Sequence, residues 1–204
     1  MTNILSTELA ELICTRISHD LAGNIGTVSN ALEMLEDDED DITDVKSLLE
    51  NSAKTLAARI KFFRVAFGLK NAAPKNTTEL NTIICNYLET VSNAKTPIII
   101  KSDIKNVSCY KIVMLAVMAL ADVFIRGGTI SVFETDEMLR FEAVSDFDLS
   151  AQKLENMQQA LTSHTPSDNP SLFAHILYLK AFLGEIGVDI DLSYDAKSAV
   201  LHLK

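Results

Sequence analysis

Apolar residues recur at a three-and-four spacing through the first part of the chain, from about Thr7 to Leu35. This spacing is typical of an amphipathic helix, and no proline interrupts it. A second run with a similar period extends from about Ile42 to Phe67, and Gly68 is of the residue type that commonly ends helices. The acidic residues 36–41 between the two runs predict a turn. The chain therefore begins with a predicted antiparallel helical hairpin.

Each predicted helix has one apolar stripe that we expect to be buried. The stripes comprise Ile17, Leu21, Ile25, Val28, Leu32 and Leu35 on the first helix and Val45, Leu48, Leu49, Leu56, Ile60 and Phe63 on the second. A hairpin alone offers too little surface to bury both stripes, and the usual solution is a second hairpin that completes a four-helix bundle. We therefore predict a homodimer.

The pattern changes after residues 71–76, a polar segment that contains Pro74. We predict a domain boundary here, with a helical hairpin domain in residues 1–70 and a second domain in residues 77–204. Beyond the boundary, short β-type segments are mixed with helical ones, which favours a two-layer α/β sandwich. The predicted fold class is therefore α+β. The predicted helices are Thr78–Val91, Tyr110–Ile125, Ser150–Leu161 and Pro170–Glu185, and the predicted strands are Pro97–Lys101, Thr129–Glu134, Met138–Val144, Gly187–Leu192 and Ala199–Leu203.

Composition narrows the classes of function. The 204 residues carry a net charge of −10, which argues against nucleic-acid binding through a broad basic face. The longest apolar run, from Ile112 to Ala121, is too short to span a bilayer, and the N-terminal residues do not resemble a secretory signal. The three cysteines are far apart in sequence and suit neither a disulfide framework nor a metal knuckle. We expect a cytoplasmic protein with no membrane or nucleic-acid partner.

The first helix carries a histidine and an aspartate side by side, His19 and Asp20. At about 100° per residue, His19 points roughly 170° away from the centre of the apolar stripe, so we predict that it faces outward. Most neighbours on its face are small, which would let a partner approach the imidazole closely. These neighbours are Thr15, Arg16, Ala22, Gly23, Gly26 and Asn30.

The adjacent carboxylate gives this histidine a possible chemistry. An exposed imidazole is a good nucleophile near neutral pH, and Asp20 can hold the proton of one ring nitrogen while the other nitrogen attacks. The pattern alone leaves an alternative open, because a His-Asp pair also occurs on ordinary helix surfaces.

The segment ISHDLAGNIGTVSNALEMLED resembles the H-box of bacterial histidine phosphotransferases of the ChpT type. In that family a His-Asp pair opens the motif, a glycine follows seven residues after the histidine, and an Asn-x-Leu-Glu stretch comes later. The matching positions here are His19, Asp20, Gly26, Asn30, Leu32 and Glu33. Related H-boxes commonly have proline where this chain has Asn24. The segment RIKFFRVAFG and the Gly127-Gly128 pair resemble later parts of the family, in the same order.

The resemblance implies a dimeric protein similar to a sensor kinase whose ATP-binding (Bergerat-like) domain has degenerated. Such proteins pass a phosphoryl group between the aspartates of receiver domains, which belong to hybrid sensor kinases and to response regulators. It implies that His19 accepts the phosphoryl group, that Asp20 assists, and that the receiver supplies Mg²⁺, with no cofactor bound stably by this chain. We predict that the partner contacts Arg16, Ala22, Gly23, Gly26 and Asn30.

The second domain lacks the residues that histidine kinases use to bind ATP. The segment Tyr110–Ile125 contains no asparagine to hold magnesium, and no glycine occurs between Gly128 and Gly184 to let a backbone approach phosphates. Asp146-Phe147-Asp148 lies near where an adenine-binding glycine motif would fall. We therefore predict no autonomous kinase activity, and we expect the second domain to serve in receiver docking.

Several alternatives stay open at this point. Arg16, Arg59 and Arg64 are candidates to complement an acidic receiver, and solubilising surface arginines explain them as well. His164, His175 and His202 have no ligand-like spacing, and we interpret them as structural or exposed. A non-catalytic dimeric adaptor or inhibitor of two-component proteins is the alternative to a phosphotransferase.

Overall fold

A computed structural model describes residues 6–37, 42–68, 70–134, 139–162 and 170–204. Two long helices open the chain, α1 (Ser6–Asp37) and α2 (Ile42–Ala66), and they pack against each other. This confirms the predicted helical hairpin. The predicted turn falls largely on residues 38–41, which lie outside the described residues.

The remaining elements form an α/β sandwich, as predicted. The helices are α3 (Thr77–Val91), α4 (Tyr110–Val123), α5 (Ala151–Thr162) and α6 (Ala174–Glu185), and the strands are β1 (Ile98–Ser102), β2 (Gly128–Glu134), β3 (Leu139–Val144), β4 (Ile190–Tyr194) and β5 (Ser198–Leu203). The predicted helix from residue 170 is divided: Pro170–Phe173 forms a 3-10 turn, and α6 begins after it.

The strands form one mixed sheet in the order β1-β2-β3-β5-β4. Strands β1 and β2 are parallel, and the other neighbours are antiparallel. Burial alternates along β3, where Phe141 and Ala143 are buried and Arg140 and Val144 are exposed, so one face of the sheet packs on helices. Helices α3, α4 and α5 contact the sheet, and α6 packs against α4 and α5.

Helix α4 is the centre of the core, with 12 of its 14 residues buried. Its apolar composition on every side accounts for this position. At the start of β2, Gly127 and Gly128 have φ angles of 74° and 154°. A Cβ atom on Gly127 would lie 2.4 Å from the carbonyl oxygen of Pro97, so this close approach of β1 and β2 requires glycine.

The hairpin and the sandwich contact each other along two helices. Helix α1 packs against the Pro170–Phe173 turn and α6, while α2 packs against α3 and α4. The ring of Phe62 on α2 stacks on Tyr87 of α3, with centroids 3.8 Å apart. No helix within the described residues combines the length and the apolar character needed to cross a membrane.

The apolar stripes of the hairpin are only partly covered by the chain itself. Ile25 and Leu32 on α1 are 57% and 51% exposed, and Ile60 on α2 is 51% exposed, together with Leu48 at 38%. The single chain does not bury these four residues, and their predicted burial by a second hairpin stays a prediction. Helix α2 covers only one side of α1, and the sandwich contacts the hairpin elsewhere.

Candidate functional site

His19 lies near the middle of α1 with 75% of its side chain exposed, as the helical pattern predicts. Its Nδ1 atom is 3.4 Å from Oδ1 of Asp20. This distance is at the outer limit of a hydrogen bond, so the contact is weak in the unbound chain. In the tautomer with a proton on Nδ1, that proton points to the carboxylate and the lone pair of Nε2 is free.

Asp20 is held more firmly than its histidine neighbour. Its side chain is only 17% exposed, and Oδ2 accepts a 2.7 Å hydrogen bond from Nε of Arg16, one helical turn earlier. Its main-chain oxygen also accepts a 2.5 Å hydrogen bond from a terminal guanidinium nitrogen of Arg59 on α2. Two arginines therefore fix the carboxylate and the backbone beside His19.

Arg16 is buried, with 8% of the residue exposed. Besides Asp20, it donates to both carboxylate oxygens of Asp122 at 3.2 and 3.0 Å and to the main-chain oxygen of Leu172 at 2.6 Å. Burial opposes its charge, but the carboxylates of Asp122 and Asp20 outweigh that effect and raise the pKa of Arg16. The prediction that Arg16 contacts a docking partner is wrong for this geometry, because its guanidinium is occupied within the chain.

Arg59 is also engaged within the chain. Its Nε donates to the hydroxyl of Thr90 at 3.1 Å, and its second terminal nitrogen donates to the main-chain oxygen of Thr90 at 2.8 Å. Arg59 therefore joins α1, α2 and the end of α3. Arg64, the third candidate arginine, is exposed and stays available to a partner.

The small residues near His19 lie where the sequence predicts them. Ala22, Gly23, Gly26 and Asn30 are all exposed. A Cβ atom added to Gly23 or Gly26 would have no atom within 4 Å, apart from the helix's own nearby backbone. The internal packing of the chain therefore does not require either glycine. Both leave open space on the face that carries the imidazole.

A cleft of about 450 Å³ opens beside Asp20, between the hairpin and the sandwich. Charged, polar and apolar side chains from α1, α2, α3, β1 and α4 line this cleft, together with loop residues. The lining residues include Arg16, Asp20, Arg59, Tyr87, Thr90, Val91, Ser92, Asn93, Asp122 and Ile125. Val91 and Ile125 are 37% and 64% exposed at this cleft, so it has an apolar rim.

Sequence reasoning did not identify Asp122 as part of this site. Asp122 ends the apolar run of α4, and its main-chain oxygen accepts a 2.6 Å hydrogen bond from Nζ of Lys153. The signal that could have identified it is its position, because it is the acidic residue that directly follows the apolar run Ile112–Ala121. Its partner, Arg16, is 106 residues away in sequence, so only the fold reveals the pair.

His175 lies next to this ion pair and is fully buried. Its Nε2 is 3.6 Å from Oδ2 of Asp122, and neither ring nitrogen makes a hydrogen bond within the described residues. Burial, reinforced by the charge of Arg16, lowers the pKa of His175 well below its ordinary value. His175 is therefore a structural neutral histidine. His202 lies partly exposed on β5, and His164 lies outside the described residues.

No cluster of three or more His, Cys, Asp or Glu side chains in the described part of the chain is arranged to hold a metal ion.

Two comparisons with known proteins bear on the family and the fold of this chain. Over 66 residues, the chain is 39% identical to the protein phosphotransferase ChpT of Brucella abortus (strain 2308). Its overall fold superposes on a solved bacterial phosphotransferase with a TM-score of 0.76, over 98% of each chain. The chain is similar to ChpT-type phosphotransferases. The 39% match confirms the resemblance to ChpT-type proteins, and the structural match shows a shared fold.

The two matches cover different shares of the chain. The 66-residue match covers 32% of this chain and 31% of the length of the curated ChpT relative. The structural match extends along the whole chain but with 22% identity, so it establishes the shared α+β fold with its N-terminal helices. No protein-family model matches the chain.

Proposed function

We propose that the chain is a histidine phosphotransferase of a two-component phosphorelay. In this proposal it carries a phosphoryl group between receiver-domain aspartates through His19. The observation that carries the proposal is the His19 imidazole, whose side chain is 75% exposed and whose Nδ1 faces an anchored carboxylate. The match to a protein named phosphotransferase supports it.

The transfer is a direct displacement at phosphorus. Nε2 of His19 forms a bond to the phosphorus of the receiver's aspartyl phosphate, and the bond from phosphorus to the carboxylate oxygen breaks, leaving its electron pair on the carboxylate. The Nδ1 proton stays on the ring, and Asp20 stabilises the positive charge that develops there. The second transfer reverses these events: a receiver carboxylate attacks phosphorus, and Nε2 recovers its electron pair.

Positioning and charge neutralisation are the main demands of phosphoryl transfer. In our proposal the receiver supplies the acceptor aspartate and the Mg²⁺, and this chain supplies the imidazole. The open surface at Ala22, Gly23, Gly26 and Asn30 gives the receiver room to approach, and the cleft rim at Val91 and Ile125 offers it a second contact. We place this exchange in the cytoplasm, where receiver domains act.

We further propose that the chain acts without binding ATP. Helix α4 is buried on nearly every side, and it has no side-chain amide to hold a nucleotide's magnesium. Its acidic residue, Asp122, already binds Arg16. These features support an ATP-independent sandwich that serves in receiver docking.

The exposed stripe on the hairpin supports a homodimer. Ile25 and Leu32 are seven residues apart and lie on the same face of α1, and both are more than half exposed in the single chain. An apolar surface that is exposed to water along a helical hairpin is stabilised when a second hairpin covers it. We propose a four-helix bundle in which each protomer presents one His19.

A labelling experiment tests the proposal. The protein is mixed with a receiver domain that carries a radiolabelled aspartyl phosphate and Mg²⁺, and the label on this chain is followed. We expect a label that is lost in acid, as phosphohistidine is, and that is absent from His19→Gln. His202→Gln is the matched control, because that histidine is also accessible but lies on the sheet.

The same assay separates the alternatives. A non-catalytic adaptor would bind receivers but acquire no acid-labile label, and this result would refute the phosphotransferase proposal. A kinase would become labelled from radiolabelled ATP without any receiver. Equal labelling of His19→Gln and wild type would show that His19 is not the acceptor.

A further inference from the structure

A chain of charged contacts connects the sandwich to the reactive histidine. Asp122 at the end of α4 binds Arg16, Arg16 binds Oδ2 of Asp20, and Oδ1 of Asp20 lies 3.4 Å from Nδ1 of His19. Three of these residues belong to one helix, but the fourth comes from the second unit of the fold. The contacts therefore cross the junction between the hairpin and the sandwich.

We propose that Arg16 and Asp122 are positioning residues that orient Asp20, and through it the imidazole of His19, so that Nε2 is the nitrogen presented to phosphorus. This inference rests on the proposed function of His19. It assigns to the sandwich a role in the chemistry that is separate from receiver docking.

The geometry of Arg16 makes it suited to this role. Each of its three side-chain nitrogens has its own partner: Nε binds Asp20, one terminal nitrogen binds Asp122, and the other binds the main-chain oxygen of Leu172. A planar guanidinium with three fixed partners has no freedom to rotate. The carboxylate that it holds through Oδ2 is therefore fixed with Oδ1 directed at His19.

Burial strengthens the coupling. The side chains of Arg16 and Asp20 are only 10% and 17% exposed, so solvent screens their contact less than it screens a surface pair. Lysine has the same charge as arginine but lacks the forked guanidinium, whose three nitrogens point in different directions. It therefore cannot hold Asp20, Asp122 and the Leu172 carbonyl together. The placement of Asp20 thus depends on the shape of Arg16 as well as its charge.

Two variants test the proposal without touching the reacting residues. Asp122→Asn removes the charge that holds the far end of Arg16, and Arg16→Lys keeps the charge but removes the fork. Glu142→Gln is the matched control, because it breaks the exposed ion pair between Arg140 and Glu142 on the sheet. Circular dichroism and thermal melting establish that each variant is folded.

The first measurement is the tautomer of His19, obtained from nitrogen NMR shifts of its ring in the free protein. We expect the form with the proton on Nδ1 to have the same population in wild type and in Glu142→Gln. We expect a shift towards the other tautomer in Asp122→Asn and Arg16→Lys. A folded variant with an unchanged tautomer would overturn the proposal.

The second measurement is single-turnover transfer from a phosphorylated receiver, with the affinity for that receiver measured separately. We expect the transfer rate to fall about tenfold or more in both variants while the affinity changes little. A loss of affinity with an unchanged rate at saturation would mean a role in docking and would also overturn the proposal.

The two measurements fail in distinguishable ways. If wild type is never labelled on His19, the proposed function fails, but the tautomer of the free protein still decides whether Asp122 orients His19. If wild type is labelled and both variants match it in rate and tautomer, only the positioning proposal fails. If Asp122→Asn does not fold, both measurements are made on Arg16→Lys, and the same outcomes decide the proposal.

Discussion

A proline at position 24 is the substitution for which the structure predicts an unusual result. Related H-boxes commonly have proline where this chain has Asn24, in the middle of α1. Proline in a helix interior costs about 3 kcal/mol or more, because it removes the hydrogen bond to the carbonyl four residues earlier and its ring crowds that carbonyl. Here that carbonyl belongs to Asp20, which already accepts a 2.5 Å hydrogen bond from Arg59.

The local contacts reduce this cost in two ways. The Asp20 oxygen keeps a charged donor when the helical donor is lost, which avoids the penalty of about 1–3 kcal/mol for an unsatisfied buried polar group. Asn24 also has a buried Nδ2 without a hydrogen-bond partner within the described residues, and proline removes that group. We expect Asn24→Pro to lower the free energy of unfolding by about 1 kcal/mol, against about 3 kcal/mol for an ordinary site.

Urea denaturation at one fixed protein concentration measures the effect, since an oligomer's stability depends on concentration. Ser29→Pro is the control, because Ser29 is an exposed interior position of the same helix and should lose about 3 kcal/mol. A double-mutant cycle with Arg59→Lys should show a coupling of about 1 kcal/mol, since lysine lacks the fork. Equal losses for the two prolines, or no coupling, would refute the reasoning.

Four further predictions concern exposed or buried groups. Gly26→Ala should raise the free energy of unfolding by about 1 kcal/mol in urea denaturation, like the control Gly184→Ala, since neither Cβ meets another atom. Gly26→Leu should slow transfer from a phosphorylated receiver, and an unchanged rate would contradict the idea that this glycine clears space. Leu32→Asp should shift the protein from dimer to monomer in analytical ultracentrifugation, and a monomeric wild type would contradict the proposed bundle. His175 has a lowered pKa, so the unfolded chain takes up its proton first as the pH falls, and stability is lost below about pH 6.5. Between about pH 7.5 and pH 5.5, wild type should lose more stability than His175→Leu in urea denaturation, and equal losses would refute this assignment.

Periodicity in the sequence was sufficient to predict most of the fold. The apolar stripes predicted α1 and α2 to within two residues of their observed ends, and the apolar run after residue 110 predicted the buried helix α4. The local sequence is sufficient here because the residues at the ends of a helix or strand, and the period of its apolar positions, determine where the element forms. The 3-10 turn before α6 was missed, because Phe173 departs from α-helical backbone angles in a way that the apolar pattern does not record.

The site was predictable only where it depends on one helix. The helical period places His19 and the glycines on an exposed face of α1, and the structure agrees. The same period also placed Arg16 on an exposed face, and this was wrong. A helical projection identifies the side that meets α2, but it carries no information about a third element. Arg16 is covered by Asp122 and Leu172, which are more than a hundred residues away in sequence.

This error bears on how the sandwich contributes to the proposed function. The sandwich has exposed groups at its junction with the hairpin, Val91 and Ile125, which suit receiver docking. It also directs the side chain of Asp122 and the hydroxyl and carbonyl of Thr90 inward, to the two arginines that hold the side chain and the backbone of Asp20. Ion pairs and hydrogen bonds at such a junction favour one relative orientation of the two units, because any other packed orientation would leave these partners buried and unsatisfied. In the proposed function, His19 presents the same nitrogen to successive receivers, so a fixed orientation of the hairpin relative to the sandwich aids transfer. This gives the sandwich a role that does not require it to bind ATP.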